Sequence, residues 1–205
     1  MADPDRVHRP ARYADLTELI DAFGGSDDVS RAELAAATAA LVVQVGRGDD
    51  PAVGLVELAD RVGLETLAAL WRDAPPVSLP GALWALYLLR QWCHTNSDEV
   101  AQLWRLGEHV AGADAVVAGV ADYADIDAVR AVADAVLSGA YRGDFAVALE
   151  RAAALFRVLA AGRRERAGSL DVTESAAEVD RAVRNERVAH DLGIAASRWR
   201  AGTLP

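Results

Sequence analysis

The chain contains no lysine, and all 21 of its basic residues are arginine. This absence excludes the lysine of a nucleotide-binding P-loop, Schiff-base chemistry and a lysine general base. Cys93 is the single cysteine, which excludes a disulfide within the chain and indicates a reducing compartment. The patterns GxSxG, CxxC and HExxH and the Rossmann glycines are missing as well. The sequence therefore predicts no metal and no cofactor, and it favours a protein that is not an enzyme.

Long apolar runs are also missing, as is any alternation of apolar and polar residues long enough for a sheet. The most apolar stretch, 79–93, is shorter than the roughly 20 residues that a membrane span requires, so we expect no membrane association. The N-terminus has no apolar signal region, and we therefore expect a cytoplasmic protein. The periodicity that remains is helical, with glycine and proline between the periodic segments, and it predicts an all-α fold.

The net charge of −10 is unevenly distributed along the chain. Residues 1–162 contain 13 arginines and 24 acidic residues, a net charge of −11, whereas residues 163–205 contain eight arginines and seven acidic residues, a net charge of +1. An acidic body repels phosphate backbones, so the composition disfavours nucleic-acid binding.

The stretch 79–93, LPGALWALYLLRQWC, is the strongest helical signal. Ser78 is suited to cap this helix, and Pro80 to its first turn, where no backbone donor is needed. A helix that is apolar on nearly every side is normally buried. The sequence therefore predicts an orthogonal, multi-helix bundle of about eight or nine helices around a buried central helix at 79–93. A charge at Leu86 or Leu88 should be the easiest way to unfold it.

The C-terminal part of the chain differs from the rest. We expect an all-helical domain over residues 1–168 that ends in a polar linker, Gly162–Ser169, followed by a C-terminal amphipathic helix and tail over 169–205. Asp171 and Glu174 form a capping box at the start of this last helix.

The apolar stripe of the last helix is thin, which is typical of an edge helix or of an arm that reaches another protomer. Val179 and Val183 are its candidate interaction residues, and Trp199 is a candidate anchor in a groove of its own chain or of a partner. The leading hypothesis is a non-enzymatic protein-interaction or scaffold domain that binds a protein partner or itself as a homo-oligomer.

An alternative hypothesis comes from the aromatic residues around the central helix. They would form an apolar pocket of a small-molecule binding protein or enzyme, with Arg72, Arg90 or Arg105 binding an anionic group. Core packing is the competing interpretation of the same residues. A roomy cavity that contains Arg90 and two of the tryptophans would favour the pocket. The candidate pocket residues are Trp71, Trp84, Tyr87, Arg90, Trp92 and Trp104.

A third hypothesis rests on Glu57–Trp71, ELADRVGLETLAALW. With Ala59 and Gly63 four residues apart, this segment is similar to the core of a helix-turn-helix, which implies a transcriptional regulator that uses residues 57–72. Its recognition face would present Glu65 and apolar residues, whereas base reading requires arginine, asparagine or glutamine. Two core helices joined at a glycine are the simpler interpretation.

Two polar clusters invite a catalytic or metal-binding interpretation. Cys93 and His94 are adjacent, but neighbouring residues of a helix do not face each other, and a single buried cysteine usually serves as a small apolar filler. Asp122, Asp125 and Asp127 lack the glycine and glutamate that a calcium loop places at its sixth and twelfth positions. Helix capping explains these aspartates more simply.

Overall fold

The computed structural model of the protein describes residues 28–46, 70–119, 126–142 and 144–205. These residues form seven packed helices and no strand, which confirms the all-α prediction. The count of eight or nine is not confirmed, since two further segments with helical periodicity in the sequence, about 13–23 and 51–62, lie outside the described residues. The helices are α1 Asp28–Gly46, α2 Leu79–Thr95, α3 Ser97–Gly107, α4 Gly112–Ala118, α5 Ile126–Arg142, α6 Phe145–Ala167 and α7 Val172–Arg200.

The helix at the centre of the described bundle is α6, which packs against α2, α3, α4, α5 and α7. Fifteen of its 23 residues are buried, against eight of the 17 residues of α2. Asp144 caps its first turn by accepting hydrogen bonds from the backbone amides of Ala146 and Val147. The central position predicted for residues 79–93 is therefore not confirmed. Within the described parts of the chain, no helix is both long enough and apolar enough to span a membrane.

Helix α2 is buried more completely on one side than on the other. Its core side carries Leu83, Leu86, Tyr87 and Cys93, each at most 1% exposed, whereas Leu88 is 43% exposed. Burial on every side is therefore not confirmed for this helix. A charge at Leu86 is still expected to unfold the protein, whereas a charge at Leu88 is now expected to be tolerated, because it would remain in contact with water.

Helix α6 continues through the segment that the sequence predicts to be a linker. The residues from Gly162 to Ala167 are helical, so the linker prediction is wrong over most of its length. Gly162 is placed within this helix because α3 crosses α6 there: a Cβ atom on Gly162 would lie 1.9 Å from the carbonyl oxygen of Leu103. Glycine at this position is thus required by the close approach of two backbones, and it does not end the helix.

Helix α7 packs along α6 within the same chain. Asp171 caps it, as predicted, by accepting hydrogen bonds from the amides of Thr173 and Glu174. Its buried face consists largely of alanine, which explains the thin apolar stripe seen in the sequence. Val179 and Val183 are 40% and 47% exposed, and the ring of Trp199 packs edge-on against Phe145 at a centroid distance of 4.7 Å.

Candidate ligand-binding groove

The side of α2 that faces away from the core forms one wall of an apolar groove, which we call the Trp84–Trp92 groove. The corner at 72–76, Phe156 of α6 and residues 187–192 of α7 supply its other walls. Its volume is about 480 Å³. This size and the predominance of apolar walls are typical of sites that bind small molecules.

The spacing of residues along α2 explains how one helix faces both the core and the groove. The groove residues recur at intervals of three or four, so they form a stripe along one face. The core residues occupy the opposite face with the same periodicity, and therefore the sequence of α2 is apolar nearly all round. The groove residues of α2 are Gly81, Trp84, Ala85, Leu88, Leu89 and Trp92.

The corner at 72–76 is fixed against the start of α2. The hydroxyl of Ser78 donates a hydrogen bond to the carbonyl oxygen of Pro75 at 2.6 Å and accepts one from the amide of Gly81 at 3.2 Å, as its predicted role as a cap requires. A Cβ atom on Gly81 would lie only 2.1 Å from the same Pro75 oxygen. Glycine at position 81 therefore allows the corner to approach α2 and to close one end of the groove.

Trp92, on the wall of the groove, is also in contact with a charged group. The guanidinium carbon of Arg163 lies 5.1 Å from the centroid of the Trp92 ring, within the range of a cation–π interaction. The side chain of Arg163 is only 7% exposed. The orientation of Trp92 therefore depends on the groups that hold Arg163 in place.

Those groups form an ion cluster of Glu99, Arg163, Arg166, Glu178 and Arg181, which joins α3, α6 and α7. The carboxylate of Glu178 accepts hydrogen bonds from Arg163 at 3.2 Å, from Arg166 at 2.7 Å and from Arg181. Glu99 accepts hydrogen bonds from Arg166 at 2.9 Å and from Arg163 at 3.5 Å. Burial alone would raise the pKa of Glu178, but the hydrogen bonds from Arg166 and Arg181 and the charge of Arg163 outweigh it, and the pKa is lowered.

Among the described residues, three ionisable side chains line the groove: Arg72, Arg187 and Asp191. The Arg72 side chain is 70% exposed, and its Nε atom lies 3.6 Å from a carboxylate oxygen of Asp73. Arg187 and Asp191 are one turn apart on α7, yet they do not form an ion pair within 4 Å. The net charge of the three groove side chains is +1.

The structure brings together only two of the six predicted pocket residues, Trp84 and Trp92. Trp71, Tyr87 and Trp104 are each at most 1% exposed and belong to the core. The indole of Trp71 donates a hydrogen bond to Thr38 at 3.1 Å, and that of Trp104 to Glu108 at 2.9 Å.

Arg90, the sixth candidate, does not line the groove. It donates a hydrogen bond to Asp134 of α5 at 2.7 Å. The cations of the groove are Arg72, which the sequence had offered as an anion-binding alternative, and Arg187, which it had not. Periodicity within α7 gives no signal for Arg187, because its place depends on how α7 packs against α2.

The pair Cys93–His94 does not form a nucleophilic site. Burial, together with the charge of Asp134, raises the pKa of the Cys93 thiol to about 12, so the thiol stays protonated at neutral pH. His94 is directed to Asp134 instead, with its Nε2 atom 3.0 Å from the carboxylate. The described residues contain no group of three or more histidine, cysteine, aspartate or glutamate side chains that would hold a metal ion.

The helix-turn-helix hypothesis falls mostly outside the described residues, which include only 70–72 of the segment 57–72. Within that remainder, Trp71 is buried and therefore does not belong to an exposed recognition face. Asp122 and Asp125 of the aspartate cluster also lie outside the described residues.

Comparisons of the chain with protein-family models, with curated proteins and with solved structures gave no match in any of the three.

Proposed function

We propose that this protein is a non-enzymatic binding protein and that the Trp84–Trp92 groove binds a small apolar ligand. The observation that carries the proposal is the groove itself, with two half-buried tryptophans on the wall of a space of about 480 Å³. A half-buried tryptophan offers a large apolar surface to a ligand at little cost in conformational entropy. Both ends of the wall are supported by packing, at Gly81 and at Arg163, and such preorganisation favours binding.

The test is calorimetric titration with hexan-1-ol, heptan-1-ol and octan-1-ol, which are uncharged and differ only in chain length. Each buried methylene contributes about 0.8 kcal/mol, so each added carbon is expected to tighten binding about fourfold. The variant Ala85→Phe fills the groove and is expected to abolish binding, as is Leu88→Asp, which places a charge on its wall.

Val116→Phe is the matched control, because Val116 is 81% exposed on α4 and does not line the groove. It is expected to bind octan-1-ol like the wild type. Circular dichroism melts of all the variants verify that they fold. The proposal fails if no alcohol shows saturable binding, or if folded Ala85→Phe and Leu88→Asp variants both bind octan-1-ol as tightly as the wild type.

We also propose self-association through α7 as a second function of the chain. The observation that favours it is the exposure of three valines on this helix: Val172 is 88% exposed, Val179 40% and Val183 47%. With the exposed Ala176 they recur at intervals of four, three and four residues, which is the spacing of a coiled-coil seam. The seam lies within residues 163–205, whose net charge of +1 avoids the repulsion that the acidic remainder would cause between copies.

Light scattering coupled to size-exclusion chromatography tests this second proposal. The full chain is expected to show a mass that rises with concentration, and the double variant Val179→Asp/Val183→Asp is expected to be monomeric throughout. Val116→Asp and Val117→Asp, on exposed positions of α4, serve as controls for added surface charge. A wild type that stays monomeric at millimolar concentration would refute self-association.

A further inference from the structure

We infer that the ligand of the Trp84–Trp92 groove is an apolar carboxylate, whose anionic group lies between Arg72 and Arg187 while its hydrocarbon part lies against Trp84 and Trp92. This inference rests on the proposed function, since it assigns a chemical class to the ligand of the same groove. It commits to a free single-chain carboxylate rather than to the headgroup of a membrane lipid, because the groove has the volume of a small-molecule site.

The charge of the groove favours an anion. The chain as a whole carries a net charge of −10, yet the ionisable groove residues that the structure describes, Arg72, Arg187 and Asp191, sum to +1. A local excess of positive charge at the mouth of an apolar space complements a molecule with an anionic head and an apolar body. Guanidinium groups also match carboxylates geometrically, because two parallel N–H donors meet the two oxygens.

Arg187 is available to bind a ligand carboxylate because it forms no ion pair with a carboxylate of the described part of the chain. Several other arginines of α6 and α7 have carboxylate partners; for example, Arg164 binds Glu186, and Arg200 binds Glu150. Arg187 has no such partner among the described residues, and Asp191, one turn away, does not approach it within 4 Å. Within 4 Å of Arg72, the described carboxylate is that of Asp73, and an exposed pair of this kind is weak.

Asp191 provides the competing chemistry, since a carboxylate in the groove would favour a cationic ligand. Titrations with octanoate, octan-1-ol and octylamine at neutral pH separate the possibilities, because the three probes share a chain and differ in the charge of the head. We expect octanoate to bind at least fivefold more tightly than octan-1-ol, and octylamine to bind more weakly than octan-1-ol. The ratio of octanoate affinity to octan-1-ol affinity should fall in 0.5 M salt, because salt screens exposed charges.

Two variants and one control test whether Arg72 and Arg187 are the residues that favour octanoate over octan-1-ol. Arg72→Gln and Arg187→Gln are each expected to weaken octanoate binding three- to tenfold, and to weaken it more than they weaken octan-1-ol binding. Arg184→Gln is the matched control, because Arg184 is an exposed arginine of α7 that does not line the groove. It is expected to change neither affinity.

The outcomes also distinguish this inference from the proposed function. If octan-1-ol binds and octanoate binds no better, the assignment of a carboxylate is overturned while the groove remains a binding site. If octylamine binds most tightly, Asp191 sets the specificity and the assignment is overturned as well. If none of the three probes binds, the proposed function itself fails.

Discussion

Replacing Glu178 with glutamine is the sharpest test of how the ion cluster supports the fold. The substitution keeps the shape of the side chain and removes its charge, which leaves Arg163 and Arg166 facing a neutral amide. Both arginines are largely buried, with side-chain exposures of 7% and 18%, and the Glu178 side chain is 3% exposed. Removing one partner of a buried ion pair typically costs about 3–5 kcal/mol.

We expect Glu178→Gln to lower the free energy of unfolding by about 3 kcal/mol, at the low end of this range. Glu99 moderates the loss, because it still accepts a hydrogen bond from Arg166 at 2.9 Å and one from Arg163 at 3.5 Å. Urea denaturation followed by circular dichroism measures the change as a shift of the midpoint at unchanged slope.

Glu186→Gln is the matched control. Glu186 lies on the same helix and is paired with Arg164, but both side chains are more than 40% exposed. Exposed pairs contribute about 1 kcal/mol or less. If Glu178→Gln costs no more than Glu186→Gln, the reasoning that the buried cluster stabilises the packing of α7 on α6 is refuted.

The pH dependence provides an independent check of the same group. The pKa of Glu178 is lowered from its ordinary value of 4.5, with burial opposing the shift and the hydrogen bonds from Arg166 and Arg181 prevailing. A carboxyl whose pKa is lower in the folded state contributes stability that is complete above its unfolded pKa and is lost as the pH falls through its folded pKa. The stability difference between the wild type and Glu178→Gln should therefore be constant near neutral pH and narrow below about pH 4.5.

Three further predictions concern packing and reactivity. Leu86→Asp should lower the free energy of unfolding by more than about 3 kcal/mol, because Leu86 is 1% exposed. Leu88→Asp should lower it by less than about 1 kcal/mol, because Leu88 is 43% exposed. Urea denaturation measures both, and equal losses would contradict the arrangement in which α2 has one core face and one groove face. Gly162→Ala should destabilise by at least about 1–3 kcal/mol through backbone overlap, while Gly139→Ala in α5, with no atom within 4 Å of the added methyl group, should be neutral or stabilising in thermal melts. Cys93 should resist a thiol reagent at pH 8 in the folded protein and react rapidly in urea, because burial holds its pKa at about 12; rapid labelling of the native protein would argue against a closed core.

The helix starts that the sequence predicts correctly depend on chemistry within a few residues. Ser78 and Asp171 each cap a helix by accepting a hydrogen bond from a backbone amide two or three residues later. Such a bond requires only the right side chain before a periodic segment, so one sequence is enough to find it.

The continuation of α6 through Gly162 depends on residues that are distant in the sequence, and this is why the linker prediction fails. Glycine followed by several arginines has the composition of a loop. In the fold, however, Gly162 meets the backbone of Leu103, and Arg163 and Arg166 bind Glu99, more than 60 residues away. The composition of the segment itself does not indicate contacts with residues that are so distant in the sequence.

The groove could be predicted only in part for a related reason. Apolar periodicity identifies both faces of α2, but core residues and groove residues have the same chemistry, so the sequence does not separate Trp84 and Trp92 from Trp71 and Trp104. The distinction arises from what packs opposite each face. Arg187 and Leu192 join the site because α7 lies along α6, and this arrangement is decided by tertiary packing.

Helix α7 links the groove to the ion cluster. It supplies Glu178, which holds Arg163 beside the ring of Trp92, and two to four turns later it supplies Arg187 and Leu192, which line the groove directly. A shift of α7 along α6 would therefore displace the groove wall that contains Arg187 and Leu192. The same shift would also move Glu178 away from Arg163, which packs on Trp92 in the α2 wall. Because the buried face of α7 is mostly alanine, its apolar packing alone discriminates weakly between neighbouring registers. The buried charge of Glu178 removes that ambiguity, since in any other register it would lose its contacts with Arg163 and Arg166 of α6.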